Sequence, residues 1–580
     1  MTPATPSQQE TDSSSRLATI RRLYFYLVAL VSLLVAFASF AGLLDILTSV
    51  WLGERGLVDV NTVDYVRNSV ARSAGLLLVS TPLFLIHWGY MQRRQAEAGE
   101  SRAAVRKFFL YTASAAALIP TLQSIYALLD GIIQSALGEP LATNDLWPSA
   151  WLYHLLLACA GIGLVGYFQS VLRSDGDLGH EDGWSGVFRR LYLAGIGLAA
   201  LLMLLFGATG VLESSWQFLF DSFSGPATVG WWRVSLSNGL TLVLIGAFVR
   251  HYHWRRWSQI FDQNPDEART GLRRLYLYAG VLIGALATLI PAASLLSETL
   301  LWLFGASTLP MSEVLDGLAT PLAYIPVGIA IWFGYSRILS SEASRFDDSR
   351  ESALVDRIYN YTVTATGLAL LWLGAVDLLQ AILDWLFVAT NIVGAAASSS
   401  GRVWAQPLAN GLSLLAIGAP VWSLHWRTVQ LRATDSGEEG LAERASGPRK
   451  AYLYGVAFVA ALLILAFLAQ VIYRLLLVAL GDPNAQVFSP ETVAEAARSL
   501  IAVVVLFIHA RAIRQDARLG VRLPEVEKRP GEDEIAQARQ RIEELEGELA
   551  AARLALGQLE AATKSVEEMS AAEAPPSQAH

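Results

Sequence analysis

Long apolar runs and short polar stretches alternate along the chain in a fixed order. The runs fall near 23–47 and 71–91, 107–128 and 150–172, 191–212 and 233–253, 275–300 and 317–338, 358–383 and 405–427, and 451–478 and 494–513. Each is close to the roughly 20 residues that carry a helix across a hydrocarbon core. The pattern predicts twelve membrane-spanning helices, taken two at a time as six hairpins. Each pair opens on a basic and aromatic element. The copies are Arg21-Arg22-Leu23-Tyr24-Phe25-Tyr26, Lys107-Phe108-Phe109-Leu110-Tyr111, Arg190-Leu191-Tyr192, Arg274-Leu275-Tyr276-Leu277-Tyr278, Arg357-Ile358-Tyr359-Asn360-Tyr361 and Lys450-Ala451-Tyr452-Leu453-Tyr454. The first aromatic of each stands at 24, 109, 192, 276, 359 and 452, in steps of 85, 83, 84, 83 and 93 residues. A period held over six copies marks one repeated structural unit.

Composition agrees with a membrane chain. Of 580 residues, 53% are hydrophobic and 16% charged, where a soluble domain carries about 25% charged residues. Mean hydropathy is +0.41. The net charge of −8 is segregated along the chain and implies no nucleic-acid partner. The single cysteine, Cys159, excludes an intrachain disulfide and a cysteine-rich metal site. The first run is too long for a signal-peptide core and no small-residue cleavage pattern interrupts it, so it reads as a retained helix. Residues 1–15 are Ser/Thr/Gln-rich without apolar period and are expected to be disordered.

Basic residues set the orientation. The connectors after even-numbered spans are rich in them, among them Arg93, Arg94, Arg102 and Arg106, and later Arg250, Arg255, Arg256 and Arg269. The stretches 129–149, 213–232 and 301–316 inside hairpins are the poor side. Both termini are therefore expected in the cytoplasm, with the protein in an inner (plasma) membrane. Beyond the last span, Ile535, Ala538, Ile542, Leu545, Leu549, Ala552, Leu556, Leu559, Thr563 and Val566 recur at spacings of three and four, which predicts a coiled coil over 531–568. Its alternative is a single stable helix. Residues 569–580 are expected to be disordered.

The second helices of alternate pairs end in His87-Trp88, His253-Trp254 and His425-Trp426, at twice the basic period. This groups the spans as three four-helix units, 16–178, 185–345 and 350–515. All copies share one orientation, as parallel repeats, and a pseudo-symmetric bundle or ring is the expected packing. The fold class is thus all-α and polytopic. The basic-Leu-Tyr-x-Tyr opening and the His-Trp ending resemble an uncharacterised bacterial multi-pass membrane domain family, a domain of unknown function. The resemblance covers roughly residues 16–515. It implies the architecture and brings no activity, cofactor or catalytic residue. The even pairs depart from the His-Trp pattern, so a role for that pair cannot extend to all six.

Three sets of polar residues are candidates for chemistry. Asp45, Asp130 and Glu213 stand 21 residues after their marker aromatics, and Ser297, Gln380 and Tyr473 hold that offset later, with Glu298, Asp377 and Asp384 nearby. At about 1.5 Å per residue the offset equals the hydrocarbon thickness. That places the acids at the outer interface, hydrated, or in an outer vestibule. Arg72, Asn238 and Asn410 each precede a His-Trp histidine by fifteen residues. They would be interhelical glue or a pathway lining, with Asp45 the natural partner of Arg72. The aromatics Tyr24, Tyr192, Tyr276 and Tyr359 and the His-Trp pairs read as anchors at the cytoplasmic interface. None of the histidines has the one-turn partner that a zinc site wants. Pro82, Pro120, Pro291, Pro326 and Pro420 are candidate kinks.

No phosphate-cradling Gly-Lys-Ser/Thr loop, Gly-x-Ser-x-Gly elbow or His-Glu-x-x-His is present. The expectation is therefore no enzyme, no cofactor and no metal. It is a membrane scaffold or sensor that oligomerises or docks partners through the coiled coil. The seam for this is Ile535, Ile542, Leu545, Leu549, Leu556 and Leu559. The alternative is a transporter or channel with its pathway between the repeats, which requires the outer acids and Arg72 to converge on one water-accessible cavity.

Overall fold

The computed structural model describes residues 6–52, 60–96, 99–138, 148–176, 181, 183–224, 231–306, 310–343, 345, 350–389, 404–482, 489–521 and 540–558. Among them all regular structure is helical. In chain order the helices are α1 Pro6–Trp51, α2 Val60–Arg93, α3 Ala104–Ala136, α4 Ser149–Ser174, α5 Gly183–Ser224, α6 Trp231–Gln263, α7 Gly271–Leu303, α8 Met311–Ala343, α9 Arg350–Ala389, α10 Ala405–Thr434, α11 Glu438–Ala445, α12 Gly447–Ala479 and α13 Pro490–Val521. A 3-10 turn, Pro265–Arg269, links α6 to α7, and a last helix, α14, covers 540–558. Twelve of these, all but α11 and α14, are long and apolar enough to cross a membrane.

Every apolar run lies inside a helix, and the helices overshoot the runs. One consequence corrects the N-terminus. Pro6–Ser15, expected to be disordered, is the first part of α1. Proline suits the first helical position, and extending a helix already nucleated costs little. The helices run on through Pro82, Pro120, Pro291, Pro326 and Pro420. Their ends have local causes. α3 and α7 stop where Gly138 and Gly305 take positive φ, +89° and +61°, a conformation that ends a helix without a Cβ penalty. Ser446 caps α12, its hydroxyl accepting from Arg449 N–H at 3.4 Å, which places Arg449 and Lys450 in the first turn.

Consecutive helices are each other's main neighbours: α1 with α2, α3 with α4, α5 with α6, α7 with α8, α9 with α10, α12 with α13. The first helix of each pair then packs against both helices of the next. α1 meets α3 and α4, α3 meets α5 and α6, α5 meets α7 and α8, α7 meets α9 and α10, and α9 meets α12 and α13. The pairs therefore stand in an open row, and the expected ring does not close. Contacts of any size join only neighbours in sequence, as in a solenoid. α2 and α12, at the two ends of the row, are almost wholly unburied.

Small residues allow the closest approaches. A Cβ on Gly239 would lie 2.7 Å from Val211 N, and one on Gly411 would lie 2.7 Å from Leu378 N. Without a hydrophobic drive between helices in lipid, backbone proximity of this kind is a main source of packing energy. The buried apolar clusters gather at the motif-bearing ends. Tyr26, Trp88, Phe109 and Phe168 centre the first, Trp257, Tyr276 and Tyr335 the second, and Tyr361, Tyr452 and Val505 the third.

Candidate functional site

The basic residues of the repeated element fall in the first turns of α3, α7 and α12. Cations there oppose the helix dipole, so they need carboxylates. The residue two positions after the marker aromatic is four after the second basic residue, on the same helix face. In five copies of six it is tyrosine, and in four of those five the basic residue and the phenol grip one carboxylate that follows their own second helix.

In the first copy Arg22 Nε donates to Glu100 Oε2 (2.7 Å) and Tyr26 Oη to Glu100 Oε1 (3.1 Å). Arg106, the residue before the next basic position, donates to Tyr26 Oη (3.1 Å), to both oxygens of Asp175 (2.8 Å each) and to Gln92 (2.7 Å). The fifth copy repeats this atom for atom. Arg357 and Tyr361 donate to Glu443 (2.9 and 2.6 Å). Arg449 donates to Tyr361 (3.2 Å), Asp516 (2.6 and 2.8 Å) and Gln430 (2.6 Å). Arg106, Arg449, Glu100 and Glu443 are at most 3% exposed.

The intervening copies vary the theme. Lys107 Nζ lies 2.8 Å from Glu181, and Tyr111 Oη donates to the same carboxylate (3.2 Å). In the third copy Ala194 replaces the tyrosine. Glu267 there takes both Arg189 (2.8 Å) and Arg190 (2.6 Å). Burial pushes the Glu267 carboxyl up, but the two guanidinium groups outweigh it and hold the group below its ordinary range. Arg273 reaches Glu342 (2.6 Å) through a box of aromatic faces, 5.0 Å from the Trp254 ring, 4.6 Å from Trp257 and 4.8 Å from Phe261. In the fourth copy Arg274 and Tyr278 share Asp356.

The sixth copy stays open. Lys450 and Tyr454 are exposed and line, with Arg444, a cleft of about 300 Å³. Asp516, on the same cleft, is taken by Arg449. No acid among the described residues meets Lys450.

The residues expected to anchor at an interface are mostly inside this site. Trp88 is 4% and Tyr276 2% exposed. Trp88 lies under Arg106 and donates to Tyr167 Oη (2.7 Å). Tyr276 is bonded to Arg250 and Tyr335 at 2.8 Å each. Tyr359 stacks on Tyr278, Tyr192 accepts from Gln169, and Trp426 packs on Tyr452 and His509. Tyr24 alone of the marker tyrosines is well exposed, at 56%. His87, His253 and His425 each place Nδ1 on the carbonyl four residues back, at 2.7 to 2.9 Å. Among the described residues no cluster of ligands could hold a metal.

At the other end of the helices the expected vestibule is divided. Asp45 lies where its charge bears on Tyr153 and His154. Asp130 accepts from Ser237 (2.6 Å) and faces Asn238, whose amide, turned toward it, donates at 3.0 and 3.1 Å. Glu213 accepts from Thr320, and Asn410 from Ser297 (2.6 Å). Each bond joins the first helix of one pair to the second helix of the next. Arg72 is exposed on α2, the helix at the end of the row. On the tail, Ile542, Leu545, Leu549 and Leu556 are half exposed or more on α14. Ile535 and Leu559 lie outside the described residues.

An all-helical row of membrane-length pairs, clasped by repeated ion pairs at one end, defines a repeat protein with a multi-pass membrane architecture. The chain belongs to a family described as a domain of unknown function (DUF5671), which matches it three times, at residues 22–163, 190–325 and 357–518. Each match takes in all or part of four membrane-length helices. No curated protein and no solved structure matches the chain.

Proposed function

We propose that this protein is a multi-pass membrane scaffold or sensor, without enzymatic activity, that assembles copies or partners through a C-terminal coiled coil. The observation that carries the reading is the heptad seam of α14. Ile542, Leu545, Leu549 and Leu556 are all exposed on a helix exposed along its whole length. An apolar a/d seam of this kind is stable when a second helix covers it. The other end of the helices supports the same reading, since Asp130 and Glu213 are each spent on a bond to a different helix. A carrier pathway would need them to share a cavity. The clasped ends carry the basic connectors, which supports a cytoplasmic position for that end, six parallel hairpins and an inner (plasma) membrane location.

The test is the mass of the full chain in detergent, with and without residues 531–580. The expected result is a defined oligomer that falls to a monomer on truncation. Equal masses would remove the coiled coil as the assembly device. Protease added to inverted vesicles should also cleave the tail, and cleavage confined to right-side-out vesicles would reverse the orientation.

A further inference from the structure

At the clasped end nearly every deeply buried guanidinium has its carboxylate. One group of cations there does not. Arg173, near the end of α4, and Arg255 and Arg256, near the end of α6, make no ion pair among the described residues. Together with His251 and Tyr252 they line a cleft of about 490 Å³ with no acid in its wall. Like charges gathered in one concavity repel one another unless an anion sits between them. The equivalent positions of the first copy, Gly89 and Tyr90, carry no charge, so the repeat does not require arginine here.

We propose that this cleft binds the phosphate headgroup of an anionic membrane lipid. Three guanidinium groups offer forked donors that match phosphate oxygens, and basic pockets between membrane helices are suited to such headgroups. The lipid, rather than a soluble phosphate, is favoured by Phe248. It lines the same cleft on α6, inside the apolar run, and is 72% exposed. The site thus joins a polar mouth to a surface on which an acyl chain lies. It rests on the membrane architecture alone and does not depend on the coiled-coil reading.

The experiment is titration of the full-length protein in a neutral detergent with phosphatidylglycerol or phosphatidylcholine, read as lipid-bound mass. Phosphatidylglycerol should bind and phosphatidylcholine should not. At about a fivefold contribution from each arginine, the triple variant Arg173→Gln/Arg255→Gln/Arg256→Gln should lose on the order of a hundredfold in affinity. The single, exposed Arg255→Gln should lose about fivefold and serves if the triple variant does not fold. A control triple, Arg511→Gln/Arg514→Gln/Arg518→Gln, removes equal charge at the end of α13 outside the cleft and should bind as the parent does. Equal losses in the two triples would reduce the effect to general surface charge and overturn the site. Displacement of the lipid by millimolar inorganic phosphate, or equal binding of phosphatidylcholine, would also overturn it.

Discussion

Lys107 and Lys450 occupy the same place in the repeat, in the first turn of the first helix of a pair, each followed four residues on by a tyrosine. Their fates differ. Lys107 is 1% exposed against Glu181, whereas Lys450 stands exposed beside an open cleft. The helices that carry them are alike, so the element itself does not close the clasp. What differs is the connector. The second copy is followed by a pair that holds Glu181 between its own Arg189 and Lys107. Among the described residues no membrane-length pair follows the sixth copy. At this lysine position burial goes with the pair that follows, which brings Glu181 beside Lys107 and so makes its burial tolerable. Arg449, one residue before Lys450, is instead buried against Asp516 of its own pair.

The sharpest way to break this comparison is to remove each lysine's charge. Lys107→Met leaves the buried Glu181 carboxylate with the Tyr111 phenol and, as its ion-pair partner, Arg189 at 3.5 Å, and should cost about 3 kcal/mol. Lys450→Met should change stability by no more than about 0.5 kcal/mol. Reversible unfolding in mixed micelles reads both. Equal effects would mean that the clasps are hydrated and that the open and closed copies do not differ.

A smaller contrast lies in the phenols. Tyr361 donates to Glu443 and accepts from Arg449, so Tyr361→Phe takes one hydrogen bond from each of two buried charged groups and should cost about 2 kcal/mol. Tyr454→Phe, at 57% exposure, should be silent. The third copy bounds this prediction, because Ala194 shows the clasp surviving without its phenol. There the aromatic box around Arg273 and the second guanidinium on Glu267 take its place. If Tyr361→Phe is also silent, the phenol is dispensable in every copy.

The same comparison explains what the sequence could reveal. The twelve spans, their pairing along the chain and the period of the basic element follow from local patterns, and they are legible. So is the offset of Asp45, Asp130 and Glu213, each 21 residues beyond its marker aromatic on the same helix. Their partners are not legible, because each sits on the next pair and a period along the chain does not show how neighbouring pairs are offset. The clasp acids were missed for a similar reason. Glu100, Glu181, Glu267 and Glu443 lie in connectors without a motif, 74 to 86 residues from the cations they hold. One signal was present. Each of the four precedes the next copy's Arg106, Arg189, Arg273 or Arg449 by six or eight residues. Arg106 and Arg250, two of the arginines that mark orientation, are also structural cations.

The smallest expected effect is a pH dependence confined to closed copies. Glu267 is held below its ordinary range by Arg189 and Arg190. A carboxyl whose folded pKa is depressed contributes stability above its unfolded value of about 4.3, and loses it as pH falls from there through the lower folded value. The parent and Glu267→Gln should therefore differ most near neutral pH, with the parent more stable. The gap should narrow as the medium is acidified below about pH 4. Lys450→Met, which removes no clasp, should track the parent across the same range. A gap between parent and Glu267→Gln that stays constant into strong acid would show that Glu267 acts through shape and hydrogen bonding alone. The charge on the third copy's carboxylate would then have no part in holding the row together.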